Sequence, residues 1–102
     1  MGLPVDVTTA RGHAERQLER YSTPEQPMVL LGPETVRDHG WCYVFLWNTA
    51  RYAETRDRAD SKRPGSGPIV VVKESGDTWT MGTWLPVDMQ LERYAEQHGI
   101  AP

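Results

Sequence analysis

Eight residues from Trp41 to Asn48 form the only long apolar run in the chain, and their aromatic side chains fall at alternate positions. Successive side chains of a strand point to opposite faces, so the spacing predicts Trp41, Tyr43, Phe45 and Trp47 on one face and Cys42, Val44 and Leu46 on the other. A strand apolar on both faces lies inside a sheet covered on each side, or is covered on one side and offers the other to a partner. Neither arrangement requires a catalytic residue.

The other elements are placed around this strand. Asp6 is a helix cap, and Val7, Ala10, Ala14, Leu18 and Tyr21 follow it at steps of three and four, one amphipathic stripe that ends at Ser22-Thr23-Pro24. The charged residues off the stripe are ordered unfavourably, so packing must hold this helix. Met28 to Arg37 is expected as one irregular strand bent at Gly32-Pro33, and Asp38-His39-Gly40 as the turn that returns the chain antiparallel into the aromatic strand. Thr49 to Ala59 has room for a turn or two of helix. Asp60 to Gly67 is a polar connection of the kind that often carries function. Ile69 to Val72 is β-branched and strand-forming, Glu74 to Asp77 a turn, and Thr78 to Trp84 a strand paired back on it. Pro86 opens a last helix with Val87, Leu91, Tyr94, Ala95 and His98 at helical spacing, and Gly99 closes it. The fold class expected is α+β: an antiparallel sheet of about four strands, with an N-terminal and a C-terminal helix packed against one face.

At 102 residues there is room for one domain, residues 1–102, burying roughly 65% of the surface its unfolded chain exposes. Eleven basic and 14 acidic side chains leave a net charge of −3, which argues against non-specific attraction to nucleic acid or an anionic membrane. The charge is unevenly spread: residues 38–73 carry a net +2 and residues 74–102 a net −4. A lone cysteine in an apolar strand suits a buried hydrophobe in a reducing compartment. Residues 1–7 lack the basic and apolar segments of a secretory signal, and no stretch approaches a membrane span, so a cytoplasmic protein is expected.

No chemical constellation outweighs its ordinary structural reading. His13, His39 and His98 fall on the first helix, a turn and the last helix, without metal-ligand spacing, so no metal is expected. His39 with Cys42 has the composition of a nucleophile and base, but a mid-strand cysteine has no field to form its thiolate. Gly65-Ser66-Gly67 follows a loop and precedes a strand, the reverse of a nucleophile elbow. No phosphate-binding glycine loop is present, and no cofactor is expected. In the basic cluster from Arg56 to Arg63, Asp57 and Asp60 interleave the cations, which fits a solvated loop better than a nucleic-acid footprint. Asp88, Glu92 and Glu96 recur every four residues as an acidic ridge, a repulsive arrangement unless something basic meets it.

Taken together, HGWCYVFLWN, RYAET, SGPIVVVKESGDTWTMGT and LPVDMQLERYAEQHG have an order and spacing that resembles the immunity protein 35 family, also called the YrhB domain, over about residues 28–99. Where that family often has a glycine after Tyr-x-Glu-Thr, this chain has Arg56. The resemblance implies a small cytoplasmic bacterial protein that binds and neutralises a cognate toxin stoichiometrically, with no turnover and no cofactor. The residues expected to meet the toxin are Tyr52, Glu54, Asp57 and Asp60 in the connection after the aromatic strand, and Asp88 and Glu92 on the last helix. A chaperone-like or structural domain using exposed apolar sheet surface is the alternative, and an enzyme ranks third. Oligomeric state is not legible in the sequence.

Overall fold

The computed structural model describes residues 4–62 and 66–100. In chain order its elements are α1 (Val7–Leu18), β1 (Met28–Leu30), β2 (Arg37–Asp38), β3 (Cys42–Phe45), β4 (Trp47–Thr49), α2 (Ala50–Thr55), β5 (Ile69–Val72), β6 (Thr78–Thr80) and α3 (Val87–His98), with 3-10 turns at Pro33–Thr35 and Arg58–Asp60. A four-stranded antiparallel sheet runs β2-β3-β5-β6, and a two-stranded ribbon pairs β1 with β4. The class is α+β, as the sequence predicts.

The aromatic run is two strands. Leu46 interrupts it, exposed between β3 and β4, while its carbonyl still accepts the Leu31 N–H at 2.9 Å. The expected single strand from Met28 to Arg37 is likewise two, and its halves belong to different sheets. Both halves nevertheless pair with the same aromatic run. Leu30 lies opposite Trp47 and Arg37 opposite Val44, seven steps against three. The 3-10 turn at Pro33 takes up the four extra residues, bending one long hairpin across two sheets. Its other end turns through Gly40 at φ 88°, with Asp38 Oδ1 accepting the Gly40 N–H at 2.8 Å.

The helices lie on opposite faces of the four-stranded sheet, not on one. Tyr43, Phe45, Ile69 and Val71 face α1, where Ala10, Ala14 and Leu18 meet them in a core shared with Leu30 and Trp47. The small alanines let the helix approach the sheet closely. Cys42, Val44 and Val70 face the other way and pack with Met81 and with Leu91 of α3. The doubly apolar β3 thus sits inside the sheet and is covered on both sides.

Trp41 departs from the alternation rule. It precedes the ladder of β3, directly after the left-handed Gly40, and packs with the α3-side core instead of joining Tyr43 and Phe45. The last strand is also shorter than expected, since β6 ends at Thr80. Two bonds extend its pairing: Met81 N–H to the Pro68 carbonyl at 2.8 Å and Gly67 N–H to the Met81 carbonyl at 2.7 Å. Thr83 and Trp84 then leave the sheet.

The helix ends follow their signals. Asp6 Oδ1 accepts the Thr9 N–H at 2.8 Å, and this bond holds the carboxyl below its usual range. Gly99 closes α3 at φ 66°. Gln17 Nε2 and Tyr21 OH each donate to Thr80 Oγ1 at 3.0 Å, tying α1 to β6. Among the described residues no helix is long and apolar enough to cross a membrane.

Candidate partner-binding surfaces

Two surfaces carry the residues expected to meet a partner, and they stand on different sheets. Tyr52, Glu54, Asp57 and Asp60 lie on α2 and the 3-10 turn after it, packed against β1 and β4. Asp88 and Glu92 lie on α3, over the four-stranded sheet.

The first surface is held together by its own polar groups. Thr49 caps α2 by accepting the Tyr52 N–H at 2.9 Å, and its hydroxyl also donates to the Asp60 carbonyl. Asp60 binds Arg51 Nε through Oδ1 at 3.0 Å and accepts from the Thr55 hydroxyl through Oδ2 at 2.7 Å. Asp57 Oδ1 accepts the Ala59 N–H at 2.9 Å, capping the 3-10 turn. Both aspartates therefore shape the turn, whereas the exposed Glu54 carboxylate enters no ion pair or hydrogen bond among the described residues. Tyr52 is half-buried, with the Arg56 guanidinium 5.9 Å from its ring centroid.

Asn48 and Lys62 have a part here that sequence reasoning missed. Asn48 Oδ1 accepts the N–H groups of Thr49 at 2.8 Å and Lys62 at 2.7 Å, while Nδ2 donates to Ser61 Oγ at 3.1 Å. Lys62 lies 4.7 Å from the Trp47 ring centroid and donates to the Ser66 carbonyl at 2.6 Å; burial pushes its pKa down. Trp47 in turn donates to the Gly67 carbonyl at 2.8 Å. A polar residue ending an apolar strand was the available signal for Asn48. The cluster's Arg63, Pro64 and Gly65 lie outside the described residues.

The second surface is acidic and aromatic. A shallow cleft of about 240 Å³ between α3 and the β2–β3 turn is lined by His39, Trp41, Asp88, Leu91, Glu92 and Ala95. Neither Asp88 nor Glu92 has an ion-pair or side-chain hydrogen-bond partner among the described residues. Behind the cleft, Tyr94 stacks on Trp41 at 5.8 Å and on Trp79 at 4.9 Å, and His98 stacks on Tyr94 at 4.1 Å. Burial, with Asp77 nearby, raises the Tyr94 pKa.

Trp84 was expected inside a strand, yet it is 75% exposed, its ring lying against Gly82 where a side chain would otherwise project. Tryptophan is the residue type most enriched at binding hot spots, so this side chain joins the candidates. The Gly82 next to a predicted strand end was a weak signal for it.

The chemical alternatives are not assembled. Cys42 is fully buried, which pushes its thiol up to about 12, and no hydrogen bond joins it to the His39 ring. His13 is engaged at Nδ1 with Arg16 at 2.6 Å, on α1, far in the chain from the other two histidines. No group of three metal-ligating side chains is found among the described residues. Fold and surface define a small α+β domain that offers acidic and aromatic side chains at its exterior. A family model described as immunity protein 35 matches residues 8–97, most of the chain, and the protein belongs to that family. The match reaches further toward the N-terminus than residue 28 and takes in α1. No curated protein and no solved structure matches the chain.

Proposed function

We propose that the protein is an immunity protein that binds a cognate bacterial toxin one-to-one in the cytoplasm of the cell that makes it, and neutralises it without turnover. The observation that carries this reading is the family match over residues 8–97, which spans both candidate surfaces. The carboxylates of Glu54, Asp88 and Glu92, without a partner among the described residues, support a basic partner such as a nuclease, for which they would mimic the phosphates of its substrate.

The chaperone-like alternative needs contiguous apolar surface. Both faces of the four-stranded sheet are covered, and the large exposed apolar side chains among the described residues, Val7, Leu46, Trp84 and Met89, are dispersed over three regions of the chain. The test is co-expression with the product of the neighbouring reading frame. A one-to-one complex on gel filtration, with the toxin's lethality abolished, is the expected outcome. Failure to bind or protect would refute the immunity reading, and suppression of aggregation of unrelated proteins would favour the alternative.

A further inference from the structure

The three clefts around α3 and the adjoining turns share walls. The cleft holding Asp88 and Glu92 shares Trp41 with a larger one of about 470 Å³. That one shares Val72, Glu74 and Ile100 with a third, of about 460 Å³, lined also by Asp77, Tyr94 and His98. The result is a trough of adjoining clefts from the α3 ridge to the β5–β6 turn. Its lining includes Trp41, whose ring is stacked on Tyr94, together with Glu74, Asp77, Asp88 and Glu92.

Charge in the trough is one-sided. Lys73 is the only cation among its described lining residues, and Asp38 Oδ1 already holds its ammonium at 2.8 Å, with the Tyr43 ring 4.6 Å away. Asp88 and Glu92, one helical turn apart, repel each other until a cation comes between them. The Trp41 ring adds a preference among cations. A guanidinium is planar and weakly hydrated, stacks on an indole or phenol face, and still directs its N–H groups at carboxylates, whereas an ammonium does the second better than the first.

We infer that this trough is the toxin-binding surface and that it receives an arginine-bearing basic segment of the toxin, with a guanidinium stacked on Trp41 and its neighbours paired to the carboxylates on either side. The inference rests on the immunity reading for the identity of the partner. The chemistry of the trough can be tested without the toxin.

The probe is the peptide acetyl-Arg-Gly-Arg-amide, titrated into the full chain while the indole N–H resonances are followed by NMR. The Trp41 signal is expected to move saturably. Trp47, whose indole is bonded to Gly67 in the core, should stay still as an internal control. The citrulline counterpart, equal in shape but uncharged, should produce no shift. The double variants Asp88→Asn/Glu92→Gln and Glu74→Gln/Asp77→Asn change exposed side chains only, and each is expected to weaken peptide binding about tenfold. Equal shifts with citrulline, unchanged binding in both double variants, or a response confined to Trp84 would overturn the inference. With the toxin in hand, full affinity of both double variants would also overturn it while leaving the immunity reading intact. A neighbouring gene product that never binds would refute that reading, and the peptide titration would still decide the chemistry of the trough.

Discussion

Arg56 stands in the left-handed conformation at φ 57°, the only non-glycine residue at positive φ among those described, where it ends α2 by donating its N–H to the Tyr52 carbonyl at 2.7 Å. A side chain in that region costs about 1–2 kcal/mol that glycine avoids. The guanidinium contact with Tyr52 returns about 0.5 kcal/mol at such an exposed site. Arg56→Gly should therefore stabilise the protein by about 1 kcal/mol and raise its midpoint by about 4–8 °C in a thermal melt. An unchanged or lowered midpoint would mean the Tyr52 contact outweighs the backbone strain. Cys42 gives the opposite kind of test, one of silence. With its thiol pushed up to about 12 by burial, iodoacetamide at pH 8 should label it only as fast as the protein unfolds. The raised value also has a sign in stability: the thiol's contribution is complete below its ordinary value of 9.0 and is lost as pH rises from there toward 12. A denaturation series above pH 9 should show stability falling in that window, and Cys42→Ala should flatten the fall.

At the scale of elements, the least visible tie in the sequence is Gln90. It lies on the buried side of α3, where Gly82 is held by both ends of its side chain: Oε1 accepts the Gly82 N–H at 3.1 Å, and Nε2 donates to the carbonyls of Gly82 at 3.0 Å and Leu85 at 2.9 Å. Gln90→Ala would leave those backbone groups unpaired, and urea denaturation should show a loss of about 2–3 kcal/mol. A loss under 0.5 kcal/mol would mean water replaces the amide. The same element shows what a sequence can disclose. The caps at Asp6 and Gly99 and the strand at Ile69 were legible because each depends on local chemistry. The bend at Gly32-Pro33 is legible too, but the face taken by Trp41 and the division of Met28 to Arg37 between two sheets are not, because both expectations assume an unbroken ladder, and Gly40 and the 3-10 turn at Pro33 break it. Placement of α3 on the face opposite α1 depends on the path of the chain through Met81 to Leu85, which no periodicity encodes. The candidate surface on α2 could be located in the sequence, but the bonds that commit Asp57 and Asp60 to local structure could not.

At the scale of the whole molecule, net charge says little about how a partner approaches. The protein extends 41 Å along its longest axis, several times the roughly 8–10 Å over which physiological salt screens a charge, so an incoming protein partner responds to local fields. The stretch from residue 74 onward concentrates five acidic side chains against one basic, and four of those acids border the trough beside α3. Exposed charges of this kind speed encounter, through the association rate, besides any pairing they make in the bound complex. In stopped-flow mixing with the toxin, Asp88→Lys/Glu92→Lys should slow association about tenfold at low ionic strength, with the difference shrinking as salt screens the field. Glu54→Lys, on the other sheet, tests the competing surface in the same experiment. If it slows association more than the α3 pair does, contact is made through α2 and the turn after it. If dissociation also quickens in the α3 variant, those carboxylates pair directly with the partner in the final interface as well as steering it, as the trough requires.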